Sequence, residues 1–462
     1  MCYFAAAMSN KRFIVIGITD APQPFFSPEI VEIINGGRVF SGGKRHHEIV
    51  APLLPQGVTW IDVTVPLEGV FTHYQSLPPT GGVGEGLPII VFASGDPLFF
   101  GFANTLRRRF PEAEIRVFPT FNSLQMLAHR LVMPYHDMRV VSLTGRPWPE
   151  FDRALIERAP KIGVLTDKEH TPAAIAQRML EYGYKEYMMY VGEHLGNPEK
   201  ERVTGLTLEE AAGREFTMPN CLILAPLPAP PVGGRDPKQT SAFPPNNKVF
   251  SPQRGELERG SFGLPDSSFA LLDGREKMIT KMPIRLLTLQ ALELPHRHMF
   301  WDVGACTGSV SIEARLLFPH LRIEAFEIRP ECEAIIHENM RRHGAMGIEV
   351  HIGDFLEAPA LPPRGGAMVP DAVFIGGHGG RLKEIMAKVV EVLAPGGVIV
   401  LNSVKAPKVL TDSHRLWDEA CRELGLRQEP PTRIVLDDHH PIEILKARKD
   451  SSRSIERASS SG

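Results

Sequence analysis

The most constraining feature of this sequence is a glycine-containing turn, Trp301–Ser309 (WDVGACTGS), which follows an apolar run and precedes a run with helical periodicity. A strand, a tight turn and a helix in this order form the place where a doubly wound α/β sheet binds a nucleotide-like ligand. Gly304 and Gly308 permit close approach of the backbone to such a ligand. The turn therefore predicts a Rossmann-like α/β domain with a ligand site at the carboxyl edge of its sheet.

Two carboxylates end or follow the next two predicted strands of this domain. Glu327 can accept hydrogen bonds from both hydroxyls of a ribose, and Asp354 can accept from an adenine amino group. The dinucleotide fingerprint Gly-x-Gly-x-x-Gly is absent, because the turn has the form Gly-x-x-x-Gly. A turn that only packs a helix against the sheet is the alternative. The predicted cofactor-binding residues of this domain are Asp302, Gly304, Cys306, Thr307, Gly308, Glu327 and Asp354.

The residues before this domain also alternate between short apolar runs and helical patterns. The alternation extends from Lys11–Thr19 to Asn220–Ala225 and predicts a further α/β region with mostly parallel sheets. From Pro226 to about Pro265, Pro, Gly and Asn dominate without periodicity, as in an extended linker. The predicted divisions are a first domain at residues 11–228, a linker at 229–265, a second domain at 266–447 and a disordered tail at 448–462.

The composition excludes several classes of protein. A formal net charge of −3 provides no global basic field for nucleic acid, and no apolar run approaches the length of a membrane span. The 5 cysteines are scattered without a Cys-x-x-Cys pair, which argues against a disulfide framework or a structural zinc site. The pair His439-His440 favours a turn over a metal site. We therefore expect a cytoplasmic protein without a metal, a nucleic acid partner or a membrane partner, and without a signal peptide. Met1 and Met8 are both candidate starts, because the first predicted strand begins just after Met8.

Several motifs of the second domain resemble the cobalt-precorrin decarboxylating methyltransferase family (CbiT). The matching segments are Thr280-Lys281 with Arg285, DVGACTGSVSIEA (Asp302–Ala314), FEIRPE (Phe326–Glu331), GDF (Gly353–Phe355), FIGGHGG (Phe374–Gly380) and LNSV (Leu401–Val404). One departure is Cys306, where many relatives carry glycine.

The first domain resembles the CbiE family, which has the tetrapyrrole methylase fold. The matching segments are SGGKRHHE (Ser41–Glu48), ASGDPLFFG (Ala93–Gly101), SLTGR (Ser142–Arg146), LTDKEHTPAAIA (Leu165–Ala176) and VGEHLG (Val191–Gly196). In that fold the Gly-Asp-Pro loop touches S-adenosylmethionine, which implies a cofactor role for Gly95, Asp96 and Pro97. Relatives open with a Gly-x-Gly-Pro-Gly type loop, whereas this chain reads Gly17–Pro22 (GITDAP).

The two domains in this order are similar to the CobL-type fused precorrin-6B methyltransferases. The resemblance implies a tetrapyrrole methylase fold of two α/β lobes, followed by a Rossmann-like S-adenosylmethionine methyltransferase fold. It implies methylation of carbon 15 of precorrin-6B, or of its cobalt form, with loss of the ring C acetate carboxyl in the second domain. It implies methylation of carbon 5 in the first domain. A homo-oligomer is also implied, because members of both families self-associate.

A precorrin carries many carboxylates, so cationic anchors are expected. In the second domain we predict Lys281 and Arg285, which lie one helical turn apart on one face. His378 follows the fourth strand, where it can orient a carboxylate or shuttle a proton. The predicted catalytic residues are therefore His378, Lys281 and Arg285, with solvated surface positions as the alternative. In the first domain, Lys44–His47 are further candidates for binding the carboxylates of the substrate.

Two other functions remain open at this stage. The first is an RNA or protein methyltransferase on the same cofactor fold. RNA enzymes often carry Asn/Asp-Pro-Pro-Tyr/Phe after the fourth strand, where this chain reads Ile375–His378 (IGGH). The second is a protein in which only the second domain is active, because the first loop of the first domain has changed.

Overall fold

The computed structural model describes residues 11–77, 87–227, 263–275, 278–358, 368–404, 412–436 and 441–450. Nearly all of the predicted linker, most of the tail, both candidate start residues and His439-His440 lie outside these ranges. The chain forms two compact units. The first comprises Met1–Pro147, Ala159–Arg178 and Lys185–Lys248; the second comprises Trp148–Arg158, Met179–Tyr184 and Val249–Gly462. The predicted domain limits remain predictions.

The first sheet of the first unit is entirely parallel. Its strands are β1 (Arg12–Ile18), β2 (Val39–Gly42), β3 (Thr59–Asp62), β4 (Ile89–Ser94) and β5 (Glu114–Phe118), in the order β3-β2-β4-β1-β5. Its helices are α1 (Pro28–Gly36), α2 (Lys44–Val50), α3 (Glu68–Ser76), α4 (Phe102–Arg109) and α5 (Ser123–Arg130). The central strands β1 and β4 are almost continuously apolar because each face of the sheet packs against its own hydrophobic cluster.

The second sheet of the first unit is mixed. Its strands are β6 (Arg139–Ser142), β7 (Ile162–Leu165), β8 (Tyr187–Glu193), β9 (Arg202–Leu206) and β10 (Asn220–Pro226), in the order β6-β7-β10-β8-β9. Helices α6 (Pro149–Ile156), α7 (Pro172–Glu181) and α8 (Leu208–Ala212) lie between these strands in the chain. β10 is antiparallel to both of its neighbours, and β8 and β9 are antiparallel to each other. The expectation of mostly parallel sheets is therefore wrong for this sheet, because the short link from β8 to β9 permits only an antiparallel pairing.

The second unit has one sheet of seven strands. They are β11 (Met299–Val303), β12 (Arg322–Glu327), β13 (Ile348–Ile352), β14 (Ala372–Ile375), β15 (Val398–Val404), β16 (Arg427–Ile434) and β17 (Ile442–Arg448), in the order β13-β12-β11-β14-β15-β17-β16. The first five strands in this order are parallel, and β17 and β16 form the antiparallel edge. The strand order reverses between β11 and β14, which makes their carboxyl ends a topological switch point. The predicted Rossmann-like fold is confirmed.

Besides α6, which belongs to the segment Trp148–Arg158, the described part of the second unit contains α9 (Met282–Ala291), α10 (Ser309–Leu317), α11 (Glu331–His343), α12 (Leu382–Val392) and α13 (Asp412–Leu424). α9 begins at Met282, where Pro283 suits the first helical turn. None of the helices in the described parts of the chain has the length and apolarity needed to cross a membrane.

Candidate functional site

The turn after β11 places backbone where a side chain would not fit. Gly304 has a φ of +83°, and a Cβ atom on it would lie 2.6 Å from the backbone nitrogen of Gly377. Gly308 also has a positive φ, of +73°. Cys306 lies between them with a φ of +51°, a conformation that favours glycine. Three predicted cofactor-binding residues therefore shape a turn at the switch point of the sheet.

Glu327, at the end of β12, is bonded directly to this turn. Its Oε2 atom accepts the backbone N–H of Cys306 at 2.7 Å. Arg329 donates through Nε to Oε1 at 2.8 Å and through Nη2 to Oε2 at 3.0 Å. Burial acts to raise the pKa of Glu327, but the hydrogen bonds from Arg329 and Cys306 outweigh it and lower that pKa. The carboxylate predicted to accept ribose hydroxyls is therefore held ionised by an arginine of the same chain.

Two polar atoms near the turn have no hydrogen-bond partner among the described residues: Oδ1 of Asp302 and Oγ1 of Thr307. Both side chains are buried. The Oδ2 atom of Asp302 accepts from Ser311 at 2.6 Å. Burial raises the pKa of Asp302 to about 6. A buried polar atom without a partner costs free energy, so this turn is a place where a polar ligand would be stabilising.

Asp354 follows β13 and pairs with Arg381. Its Oδ2 atom lies 2.7 Å from Nη1 of Arg381, and its Oδ1 atom accepts the backbone N–H of Leu356 at 2.9 Å. These hydrogen bonds, with that from Arg381 the larger, lower the pKa of Asp354. Asp354 is thus an ionised acceptor at the same edge of the sheet as Glu327.

His378, after β14, is fixed in one neutral tautomer by its neighbours. The backbone N–H of Gly380 donates to Nδ1 at 3.1 Å, so that Nδ1 carries no proton. Nε2 then carries the proton and donates to the Ser413 hydroxyl at 2.9 Å. A proton-shuttling role for His378 would require the Gly380 hydrogen bond to break first.

The two predicted cationic anchors have different surroundings. The Arg285 side chain is 0% exposed, and its Nε atom donates to Glu313 at 2.8 Å. Its Nη1 atom donates to the Thr280 carbonyl at 2.8 Å and to Asp266 at 3.3 Å. The buried guanidinium is engaged by these partners, which favours a structural role, and the predicted anchoring role of Arg285 stays a prediction. The Lys281 side chain is 42% exposed and lies 3.8 Å from Asp266, so it can reach solvent.

The first unit contains a cavity of about 470 Å³ between its two sheets. The first sheet contributes Ile18 and Ser94, and the second contributes Leu165 and Asn220. Concave sites of this size, with mostly apolar walls and a few polar groups, are typical of small-molecule binding. The cavity is the main candidate site of this unit.

The predicted Gly-Asp-Pro loop forms a turn at the cavity. Gly95 lines the wall with a φ of +61°. A Cβ atom on Gly17 would lie 1.9 Å from the Gly95 carbonyl oxygen, so the first loop retains a glycine where the two backbones meet. Asp96 does not line the wall: its Oδ1 atom accepts the backbone N–H of Leu98 at 2.8 Å and shapes the turn. Pro97 is likewise absent from the wall.

A polar network at the cavity was largely missed by sequence reasoning, which singled out only Arg45 and His46. Arg45 donates to Asp20 at 2.6 Å and to the Ser94 hydroxyl at 2.8 Å. His194 contacts the second oxygen of Asp20 at 2.8 Å, and His46 contacts Ser94 at 2.9 Å. Asp20 lies in the altered first loop, whereas Ser94 and His194 lie in the family-like segments Ala93–Gly101 and Val191–Gly196, which were not connected to one another in the sequence analysis.

Among the described residues, Glu324, Glu349 and His351 bring possible metal ligands within 4.8 Å of one another. Arg322 already lies 3.2 Å from both carboxylates, and His351 lies 3.6 Å from Glu324. The cluster is therefore a charge-compensated salt bridge of neighbouring strands.

Known protein families match two parts of the chain, and these are the parts in which the two sets of motifs lie. Residues 27–212 match the family model for tetrapyrrole (corrin/porphyrin) methylases, and residues 273–427 match the precorrin methyltransferase domain. A precorrin-6Y C(5,15)-methyltransferase (decarboxylating) from Sinorhizobium is 30% identical over 88% of this chain and 89% of its own length. A cobalt-precorrin-6B C(15)-methyltransferase (decarboxylating) from Salmonella typhi is 40% identical over 33% of this chain and 76% of its own. A cobalt-precorrin-7 C(5)-methyltransferase from Salmonella typhimurium is 27% identical over 46% of this chain and 97% of its own.

Proposed function

Because the chain belongs to the family of fused precorrin-6Y C(5,15)-methyltransferases (decarboxylating), we propose that it methylates carbons 5 and 15 of precorrin-6B, or of its cobalt form, and removes the carboxyl of the ring C acetate in cobalamin biosynthesis. The observation that carries this proposal is the presence of both family domains, each with its own candidate site, in one chain. The second domain performs methylation at carbon 15 and decarboxylation, and the first performs methylation at carbon 5.

S-adenosylmethionine is the proposed methyl donor at both sites, and it supplies an electrophilic methyl group when bound. In the second unit the turn around Gly304 and Gly308 suits close backbone approach, and Glu327 and Asp354 provide acceptors for ribose and adenine. The unpartnered polar atoms of Asp302 and Thr307 support a polar ligand at this turn.

In the first unit, the Gly95 turn and the cavity of about 470 Å³ would hold the cofactor or part of the macrocycle. Asp96 and Pro97 shape that turn without lining the cavity, so their proposed contribution is to the position of Gly95. The altered loop that contains Asp20 contributes a carboxylate network in place of flexible glycines.

In the second unit, Arg329 competes with the cofactor's ribose for the Glu327 carboxylate. Two hydrogen bonds from its guanidinium and one from its backbone N–H to Glu327 cover the carboxylate that a ribose would use. Ribose hydroxyls can bind Glu327 only where Arg329 gives up at least one of these bonds. The Cys306 N–H remains on Glu327 and keeps the turn aligned.

The chain's residues contribute mainly orientation to the chemistry. A meso carbon of the precorrin is nucleophilic by conjugation, so a displacement at a methyl group depends on proximity and alignment more than on a strong base. The conjugated macrocycle can accept the electrons released by decarboxylation. Lys281 remains the exposed cation available for a substrate carboxylate, and His378 remains a proposed proton carrier once its Gly380 bond is broken.

Incubation of the purified chain with precorrin-6B and S-adenosylmethionine, with and without cobalt and without oxygen, tests the proposal through product mass. Gain of two methyl groups with loss of carbon dioxide is the expected result. Gain of one methyl group with that loss would restrict activity to the second domain. Absence of any mass change, with the cofactor still bound, would refute the tetrapyrrole function and favour an RNA or protein substrate.

A further inference from the structure

The Ser94 hydroxyl lies at the cavity wall between two hydrogen-bond donors. One of them is Nη2 of Arg45, at 2.8 Å from the Ser94 oxygen. A guanidinium has only donors, so Ser94 must accept in this bond. The direction of the hydrogen bond is therefore known from chemistry alone.

The direction of the second hydrogen bond follows from the state of His46. The backbone N–H of Gly43 points to Nδ1 of His46 at 3.2 Å, and a backbone N–H can only donate. Nδ1 is therefore unprotonated, and Nε2 carries the ring proton that it donates to Ser94 at 2.9 Å. Burial and the neighbouring Arg45 also lower the pKa of His46 to about 4, against the opposing effects of Asp20 and of a hydrogen bond with the Phe92 backbone, so the ring is neutral near pH 7.

Both acceptor positions of the Ser94 oxygen are thus occupied. A hydroxyl has two lone pairs and one proton, so its own proton remains for a third partner. Ser94 is solvent-exposed at the end of β4 and lines the cavity. The network fixes the serine as a hydrogen-bond donor towards the cavity.

The charged groups near Ser94 favour one kind of ligand group as the acceptor of its hydroxyl proton. Arg45 bonds directly to the Ser94 oxygen and makes its hydroxyl a stronger donor, as in other charge-assisted networks. The nearby negative group, Asp20, has one oxygen bonded to Arg45 and the other to His194. The positive end of the network therefore faces Ser94, and an anionic acceptor is favoured over a neutral one.

We propose that Ser94 donates its hydroxyl proton to a carboxylate of a ligand in this cavity, with Arg45 and His46 as positioning residues. The proposal rests on the proposed function, which supplies two sources of this group: an acetate or propionate side chain of the tetrapyrrole, and the methionine part of S-adenosylmethionine. Asp20 and His194 act indirectly, by holding Arg45 in place.

The test compares Ser94→Ala, Ser94→Asn and Ser94→Asp in the full chain. Binding is measured without turnover, by absorbance titration with the carbon 15-methylated, decarboxylated precorrin and by calorimetric titration with S-adenosylmethionine. Loss of a hydrogen bond to a charged group weakens binding by about tenfold or more, so Ser94→Ala should raise one of the two Kd values by that factor. The ligand whose Kd rises is the source of the carboxylate.

The Asn and Asp variants have nearly the same shape but differ in donor capacity and charge. Asn can donate to a carboxylate, whereas Asp repels it, so Ser94→Asp should bind the affected ligand at least about tenfold more weakly than Ser94→Asn. Equal affinities of these two variants would overturn the proposal, because the partner would then not be anionic. Unchanged Kd values for both ligands in Ser94→Ala would overturn it as well.

The control is Thr72→Ala, which removes an exposed hydroxyl that donates to the Glu68 carbonyl on α3, and it should leave both Kd values unchanged. Failure of the wild-type chain to methylate the precorrin refutes the proposed function and this inference together. Normal wild-type methylation with no effect of the Ser94 variants refutes the inference alone.

Discussion

The two candidate sites of this chain are built in different ways. In the second unit, a few consecutive residues around Gly304 and the carboxylates that end or follow two neighbouring strands form the site. In the first unit, Asp20, Arg45, Ser94 and His194 come from widely separated segments and meet only in the folded unit. A contiguous site is visible in the sequence because its geometry is local, whereas an assembled site depends on how the sheets pack.

Two arginines that the sequence analysis treated alike differ in burial. Arg285 is fully buried on Glu313, whereas the Arg45 side chain is 36% exposed and lines the cavity. Both belong to motifs that resemble precorrin enzymes. Burial, which the sequence does not reveal, favours Arg45 over Arg285 as the residue that acts on a ligand.

The largest expected effect comes from a pair of glycine substitutions, one in each unit. Gly304→Ala should abolish methylation at carbon 15, because its Cβ atom meets the Gly377 backbone at 2.6 Å and its φ is positive. Gly17→Ala should abolish methylation at carbon 5, because its Cβ atom meets the Gly95 carbonyl at 1.9 Å. Each loss should exceed about 100-fold, since small displacements at a reacting centre have effects of that size.

Mass spectrometry with a separate substrate for each step, and circular dichroism of each variant, measure these effects. Gly69→Ala, where a Cβ atom meets nothing within 4 Å, is the matched control and should retain both activities. If either glycine variant lost both activities while remaining folded, the two sites would not be independent.

The next effect concerns stability. Arg285→Met leaves Glu313, which is 1% exposed, without its cation. Breaking a buried ion pair in this way should lower the free energy of unfolding by about 3–5 kcal/mol. Arg45→Met should have a smaller effect on unfolding, because its pair with Asp20 is partly exposed. Denaturant unfolding measures both, and an unchanged stability of Arg285→Met would contradict the structural role.

A smaller effect is expected on cofactor affinity. Glu327→Gln removes the charge that accepts from Cys306 and Arg329, and it should weaken binding of S-adenosylmethionine to the second unit by about tenfold or more. Methylation at carbon 5 should be retained. Calorimetric titration measures the affinity, with Glu338→Gln as an exposed control. An unchanged affinity in Glu327→Gln would remove Glu327 from the ribose site.

The last effect, which is confined to a narrow range of pH, is an opposite response of His46 and Asp302 to pH. The pKa of His46 falls from 6.5 to about 4, so its contribution to stability is complete above pH 6.5 and is lost as the pH falls towards 4. The pKa of Asp302 rises from 3.8 to about 6, so its contribution is complete below pH 3.8 and is lost as the pH rises through 6. Each amounts to at most about 3 kcal/mol.

Unfolding of His46→Asn and Asp302→Asn between pH 4 and 7 measures the two responses. The stability of His46→Asn relative to wild type should increase as the pH falls, and that of Asp302→Asn should increase as the pH rises. Parallel changes in the two variants would show that these residues do not control the pH dependence.

Much of the fold could be predicted because its signals are periodic. The buried strands β1, β4 and β11 are short apolar runs, and the turn after β11 has its glycines at the positions where φ is positive. The helix α13 was missed although Trp417 and Cys421 repeat at helical spacing and are buried. β9 was missed as well, because a short edge strand has a weak apolar pattern.

The sequence by itself determined that the chain has two α/β units, that the second carries a glycine turn after a strand with Glu327 and Asp354 at or just after the ends of the next strands, and that its motifs are those of precorrin methyltransferases. These properties depend on neighbours along the chain, which the sequence displays directly. Only the tertiary structure decided that Arg285 is buried, that Arg329 covers Glu327, and that Arg45 and His46 meet at Ser94. Burial and the direction of hydrogen bonds depend on packing between distant segments, and local patterns do not encode them.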